Sequence, residues 1–258
     1  MNFIRSEMAP AFAKRMVKST LGSLGYTVLD LSKNNDLRVF LPGHLKSVLK
    51  SLQVNCVIDV GANQGEYGLM LRRIGYQGRI ISFEPVREVF DRLKQTASGD
   101  DSWKTLNFAC GNEESEKDIN IFGLDVLSSL LPPSPQMALI DPQGVGRTEK
   151  VRVVRLDSIF DEVINGLDHP RVFLKTDAQG YDLEVIKGGG ERLTQVIGLQ
   201  SEIAVQPLYL GVPDYLEFLA FCRELGFEPT GFFPIFHSPT TKQMIELDAV
   251  LTRSEAVC

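Results

Sequence analysis

The run Val57-Ile58-Asp59-Val60-Gly61-Ala62-Asn63-Gln64-Gly65 ends an apolar stretch on an acid and then turns on two glycines. Gly61 lets the backbone bend sharply and approach a ligand with no Cβ in the way. A second acid, Glu84 in Ile81-Ser82-Phe83-Glu84-Pro85, follows 23 positions after Gly61. At that distance a strand-end carboxylate is placed to accept hydrogen bonds from the two adjacent hydroxyls of a ribose. Each such charge-assisted bond contributes about 1.5–3 kcal/mol. The pair Gly61 and Glu84 therefore points to an adenosine-bearing ligand. No Gly-Lys-Ser/Thr follows the turn, so a P-loop is excluded. The glycines are spaced GxxxG, so the dinucleotide fingerprint GxGxxG fails as well.

Three further strand ends carry residues that can do chemistry. Asn107 and Ala109 close a third strand where an adenine would lie. Asp177 follows Phe173-Leu174-Lys175-Thr176, and Glu202 sits in Leu199-Gln200-Ser201-Glu202. Neighbouring parallel strands bring both acids to one cleft. Either can remove a proton from an acceptor hydroxyl. The alternatives are that Asp177 caps the next helix and that Glu202 forms a buried ion pair with Lys175. Lys175 itself can hold these carboxylates or aid the acceptor electrostatically. His44 and His169 are read as surface residues, and His237 is an outside candidate for a base. No two histidines have metal-ligand spacing and no CxxC pair exists, so no metal site is predicted. A magnesium ion on Asp177, Glu202 and substrate oxygens is the alternative.

The elements that position these residues alternate strand and helix from about Ser51. Val54–Val60 reads as a buried parallel strand. Tyr67, Met70, Leu71 and Ile74 form a helical stripe ended by Gly75. Arg79–Phe83 is a second strand, followed by a helix with Val86, Val89, Phe90 and Leu93 inward. Leu106–Cys110 is expected as a third strand, Ile119–Phe122 as a short one, and Val151–Leu156 as an edge strand. Four prolines make Leu131–Gly146 a loop. Val172–Thr176 is a strand and Tyr181–Lys187 a short helix stopped by Gly188, Gly189 and Gly190. Val196–Ile203 is the next strand. Pro213 is expected to open a helix that buries Leu216, Leu219 and Phe221 or Cys222. Phe227–Phe236 and Ile245–Thr252 close the chain as an antiparallel pair. The succession predicts an α/β fold, a mostly parallel sheet with helices on both faces and ligands at the carboxyl ends of its strands.

At this point a resemblance becomes specific. VIDVGANQG, FEP, NFACGNEE and LKTDAQGYDLEVIKGG are similar to the successive motifs of the FkbM-type S-adenosylmethionine-dependent methyltransferases, over about residues 55–252. The segment K-x-D-x-[E/Q]-G, Lys175 to Gly180, is the most specific of them. The resemblance implies a seven-stranded, Rossmann-like methyltransferase sheet with its last strand antiparallel. It also implies S-adenosyl-L-methionine as cofactor and methylation of an oxygen, often a sugar or natural-product hydroxyl. Where many members carry glutamate this chain has Gln179, which puts acid–base duty at that position in question. The cofactor matches the residues: the turn N–H groups of Gly61–Gly65 with Asn63 can hold its methionine tail, and Asp59 suits its positive charges.

Composition bounds the partners. A net charge of -6 argues against a nucleic-acid partner, because phosphate needs clustered Lys and Arg. The acceptor is expected to be a small molecule or a glycan. Asp125–Pro135, with Ser128 and Ser129, and the aromatic group Phe232, Phe233 and Phe236 are the candidates for contacting it. Neither a secretory leader nor a run of 18 apolar residues is read, so a cytoplasmic location without a membrane span is expected. Cys56 and Cys110 fit as small core residues. Residues 1–50 are read as a helical arm, with Phe12, Met16 and Val17 on one face between Pro10 and Gly22. The arm can make peripheral contact with a membrane or partner. The methyltransferase domain would then span 51–258. The competing readings are a non-catalytic S-adenosylmethionine-binding module and an NAD-dependent oxidoreductase.

Overall fold

The computed structural model describes residues 37–238 and 240–253, together with position 16. The helix read between Pro10 and Gly22 lies outside the described residues except for Met16, which is helical. Residues 37–258 form one compact unit.

Six helices and ten strands build that unit among the described residues. They are α1 (Leu41–Ser51), β1 (Cys56–Val60), α2 (Glu66–Arg73), β2 (Arg79–Phe83), α3 (Arg87–Thr96), β3 (Trp103–Leu106), β4 (Ala109–Cys110) and β5 (Ser115–Phe122). Then come β6 (Val145–Val154), α4 (Leu156–Ile164), β7 (Val172–Thr176), α5 (Asp182–Lys187), β8 (Val196–Ala204), α6 (Tyr215–Glu224), β9 (Phe227–His237) and β10 (Met244–Arg253). Seven strands form one sheet in the order β3-β2-β1-β7-β8-β10-β9. All its pairings are parallel except those of β10, which runs against both β8 and β9. The last strand in sequence is thus the antiparallel one, inserted beside the edge.

Alternation along each strand sends neighbours to opposite faces. Val57, Ile80 and Phe173 pack with Leu45 of α1, Leu71 of α2 and Leu93 of α3. Ile58, Phe83 and Leu174 pack on the other face with Phe160 of α4, Val185 of α5 and Phe218 of α6. All five residues of β1 are buried, as a central parallel strand covered on both sides requires. In α2 the buried Gly68 admits the Trp103 indole, which a Cβ at that position would meet at 2.1 Å.

Several expectations are corrected. Leu106–Cys110 is not one strand: β3 stays in the main sheet, while β4 joins a three-stranded sheet ordered β4-β6-β5. The break has a cause at Asn107, whose Nδ2 donates to the carbonyls of Glu84 and Pro85, both at 2.9 Å. These bonds hold the chain against the end of β2, where β3 stops. The strand read at Val151–Leu156 begins earlier, at Val145, and lies in the middle of the small sheet. The Pro-rich loop contains a 3-10 turn at Pro135–Leu139. Helix α6 is opened by Asp214 rather than Pro213, through a reciprocal capping box with Glu217. Its buried face is Phe218 and Cys222, one turn apart, while Leu216 is 61% exposed.

Candidate functional site

Strand register places a row of polar side chains under the carboxyl edge of the sheet. Asp59 in β1 is the direct neighbour of Ser82 in β2 and of Lys175 in β7. Neighbours on paired strands point to the same face. Trp103 Nε1 accordingly donates to Ser82 Oγ at 3.0 Å, and Ser82 Oγ donates to Asp59 Oδ2 at 2.9 Å. Lys175 Nζ meets Asp59 Oδ1 at 3.1 Å and Asp177 Oδ2 at 3.7 Å, and donates to the Gly61 carbonyl at 3.0 Å. The ammonium also lies over the Tyr67 ring, 5.3 Å from its centroid. Further along, Gln200 of β8 accepts from Tyr67 Oη at 2.9 Å and donates to Asp248 of β10 at 2.9 Å. Burial alone would lower the Lys175 pKa, but the carboxylates of Asp59 and Asp177 overturn this and raise it. Lys175 is therefore a fixed cation and cannot accept a proton at neutral pH. Its partners are Asp59 and Asp177, not Glu202.

Asp59 has no exposed surface. It anchors Lys175 from beneath the site instead of lining it. Gly61 has φ +71°, and a Cβ there would lie 1.9 Å from the Asp177 carbonyl oxygen. The turn after β1 and the turn after β7 touch backbone to backbone at this point. Gly61→Ala is expected to cost on the order of 3 kcal/mol, since positive φ and a backbone clash act together. Denaturant unfolding measures it, and a loss under about 1 kcal/mol would mean that the contact relaxes cheaply.

The N–H groups of the turn are all engaged within the protein. Those of Gly61 and Ala62 donate to the Phe83 carbonyl, and those of Gln64 and Gly65 to Asn63 Oδ1 and the Ala62 carbonyl. The Asn63 N–H donates to Glu84 Oε2 at 3.0 Å, and the Val86 N–H donates to Glu84 Oε1 at 2.9 Å. Two amides thus orient the Glu84 carboxylate while each oxygen keeps a second lone pair. Burial raises the Glu84 pKa to about 7, against the lowering effect of the two amides and of Lys175.

These residues edge a cavity of about 670 Å³ that runs along the carboxyl ends of the strands. Its β2–β1 end is lined by Gly61, Asn63, Glu84, Phe108, Ala109 and Cys110. Its β7–β10 end is lined by Asp177, Gln179, Glu202, Glu246, Asp248 and Phe236. A strap of Asp125–Ser128 lies over it, fastened where Asp125 accepts from Gln64 at 3.1 Å and Arg92 at 3.2 Å. Ser128 lines the cavity with a buried hydroxyl that has no hydrogen-bond partner. Ser129 is instead structural, donating to the Gln179 carbonyl at 2.7 Å.

The acids of the second end are joined through a side chain from the loop after β7. Asp177 does not cap α5. The loop before that helix is held by Asp182, which accepts from the Ala178 and Gly180 N–H groups at 3.1 and 3.2 Å. Gln179 Nε2 donates to Asp177 Oδ1 at 2.9 Å and to Glu202 Oε1 at 3.0 Å. Burial, then Asp177, Glu246, Asp248 and Asp182, push the Glu202 pKa well above the carboxylate range. Glu246 rises to about 7, first through burial and then through Asp177 and Asp182.

Of the residues singled out in the sequence, Gly61, Asn63, Glu84, Ala109, Lys175, Asp177 and Glu202 share this cavity. Asp59, Gly65 and Asn107 stand behind it: Gly65 caps α2, and Asn107 holds the backbone of Glu84 and Pro85. His237 is exposed at the end of β9, and His44 pairs with Thr230 at 2.9 Å. Tyr67, Gln200, Glu246 and Asp248 went unnoticed. The two acids had a signal, because in Ile245-Glu246-Leu247-Asp248 they alternate and so share one face of a strand. No cluster of three or more His, Cys, Asp or Glu among the described residues has metal-binding geometry.

A parallel sheet with this strand order and a carboxyl-edge cavity defines a Rossmann-like methyltransferase fold. The Methyltransferase FkbM domain matches residues 59–229, more than half of the chain, and the protein belongs to that family. It is an S-adenosylmethionine-dependent methyltransferase. Solved structures similar to it include magnesium protoporphyrin IX methyltransferase from Synechocystis with bound cofactor, at 12% identity and TM-score 0.42, covering 93% of this chain and 97% of that one. Fibrillarin of Aeropyrum pernix with natively bound S-adenosyl-L-methionine is similar at 11% identity and TM-score 0.42, over 80% and 74%. So is precorrin-6y C5,15-methyltransferase of Geobacter metallireducens, at 12% and 0.41, over 82% and 88%. No curated protein matches the chain.

The cavity residues fit the cofactor. The two oriented oxygens of Glu84 would match a pair of ribose hydroxyls, and the apolar edge of Phe108, Ala109 and Cys110 would suit an adenine. Because only the ionised carboxylate accepts from both hydroxyls, and its pKa is about 7, cofactor affinity is expected to rise with pH. The ionised fraction grows about tenfold between pH 6 and pH 8, so the dissociation constant should fall by roughly that factor. Calorimetry across this range measures it. A flat profile would mean that Glu84 does not hold the ribose.

Proposed function

We propose that the protein transfers the methyl group to a hydroxyl oxygen of a saccharide, glycolipid or similar polyhydroxylated natural product. The observation that carries this reading is the acid-lined β7–β10 end of the cavity. Asp177, Glu202 and Glu246 offer hydrogen-bond acceptors, and a sugar offers several adjacent donors. The same surface disfavours a phosphate-rich acceptor. The two cations that line the cavity, Lys175 and Arg38, are paired with Asp59 and Asp248.

Bound S-adenosylmethionine supplies an electrophilic methyl carbon. Glu84 holds the ribose, with Asn63 and Gly61 shaping the turn beside it. An alkyl hydroxyl is a weak nucleophile and must lose its proton as the new bond forms. Asp177 is the base in this reading: it faces the cavity, 3.7 Å from the Lys175 ammonium, which is itself unable to accept a proton. Glu202, whose pKa is raised by burial and by the neighbouring acids, offers hydrogen-bonding oxygens to a second acceptor hydroxyl. Rigid placement on three adjacent strand ends supplies the alignment that an in-line displacement needs. A cytoplasmic setting belongs to the same reading, supported by three buried free thiols, Cys56, Cys110 and Cys222.

The test is incubation with labelled methyl donor and fractionated glycans and small metabolites, followed by mass spectrometry of what gains a methyl group. A methyl ether on a sugar or natural-product hydroxyl is expected. Label on nitrogen, or on nucleic acid, would overturn the assignment.

A further inference from the structure

Gln179 stands where its side chain meets three other polar groups. Its Nε2 has two hydrogens and faces two carboxylate oxygens, Asp177 Oδ1 at 2.9 Å and Glu202 Oε1 at 3.0 Å. Its Oε1 lies 2.9 Å from Tyr209 Oη, which is also 2.7 Å from the Leu127 carbonyl. The phenol has one hydrogen for these two acceptors and shares it between the Leu127 carbonyl and the amide oxygen. Turning the amide over would set that oxygen against Asp177 Oδ1, an acceptor, so Asp177 supports the present orientation. The backbone is fixed as well: Gln179 has φ +50°, and its carbonyl accepts from Ser129 Oγ at 2.7 Å. Leu127 belongs to the strap over the cavity, and Ser129 directly follows it.

We infer that Gln179 is the positioning residue of the acceptor end. One amide nitrogen clamps Asp177 to Glu202, and Tyr209 sets which end of the amide faces them. This rests on the methyltransferase reading only for its kinetic consequence. The amide supplies a donor to each acid without itself titrating. A glutamate at this position could bridge the pair only by bringing its own proton. The clamp also ties the acids to the strap, since Tyr209 and Ser129 bind both. Glu202 is otherwise surrounded by acids from every neighbouring element: Asp177 after β7, Asp182 on α5, and Glu246 and Asp248 on β10. Lys175, the nearby cation, is bound to Asp59 and Asp177.

The test uses the full chain and two variants, Gln179→Met and Tyr209→Phe, with carbon-13 detection of the Glu202 carboxyl across pH. This readout needs no acceptor, so it decides the clamp even if the acceptor class is wrong. Gln179→Met is expected to move the Glu202 midpoint upward by about one unit or more, a tenfold change in proton affinity. Tyr209→Phe should move it in the same direction by less, because the amide keeps its nitrogen in place but loses the group that orients it. Calorimetry should show S-adenosylmethionine affinity within about threefold of the unmodified protein in both variants. Once an acceptor is in hand, Gln179→Met should lower kcat at least tenfold, and Gln179→Glu should recover part of it at a shifted pH optimum. An unmoved Glu202 midpoint in a folded Gln179→Met protein would overturn the inference.

Discussion

Asp177→Asn is expected to lower the rate of methyl transfer by about 10²–10⁴-fold, the range that a positioned general base contributes. Cofactor affinity should stay within about threefold, because Asp177 belongs to the β7–β10 end of the cavity and Glu84 to the other. The substitution is nearly isosteric. Lys175 keeps Asp59 at 3.1 Å and the Gly61 carbonyl at 3.0 Å, so the buried ion pair survives. Single-turnover transfer and calorimetry on the same preparation separate the two effects. Full turnover in the variant would remove Asp177 as the base. A parallel loss of cofactor binding would recast it as part of the cofactor site.

The second large effect concerns Glu84. Two charge-assisted bonds to ribose hydroxyls at about 1.5–3 kcal/mol each make a loss of roughly 10²-fold or more in cofactor affinity the expected result of Glu84→Ala. The variant also leaves the Asn63 and Val86 N–H groups without their acceptor. Unfolding of the variant must therefore be measured alongside binding. Glu84→Gln separates the two causes. It keeps the volume and an acceptor for one of the two N–H groups, so it should restore part of the stability while recovering little affinity. Near-normal affinity in both variants would leave the ribose without its proposed anchor.

Much of the architecture could be read from residue patterns because the central strands obey simple rules. β1, β2, β7 and β8 are buried and mostly apolar up to the polar residues near their carboxyl ends, as strands covered on both faces tend to be, and their positions follow from that. Helix α3 follows from the stripe Val89, Phe90 and Leu93. The small sheet did not follow, because β4 has two residues and the bend before it depends on a side-chain bond from Asn107 to a different strand end. On α6 the apolar pattern placed Cys222 inward correctly and missed Phe218, while Leu216 faces out. In the site, Gly61 and Glu84 stood out by type and spacing. The roles of Asp59 and Lys175 did not, since both appear at strand ends like ligand contacts. Only the register, which makes them direct neighbours, shows them to be a buried pair beneath the cavity. Gln179 looked like a loss of function relative to glutamate. Its role as a donor to two acids is a tertiary fact that needs β7, β8 and Tyr209 together.

A crystal structure of the protein with S-adenosylhomocysteine tests the account most directly. The ribose hydroxyls are predicted to lie within hydrogen-bond distance of both Glu84 oxygens, with the sulfur turned toward the Asp177–Gln179–Glu202 end. An adenosyl group seated elsewhere, or a sulfur facing away from those three side chains, would contradict it.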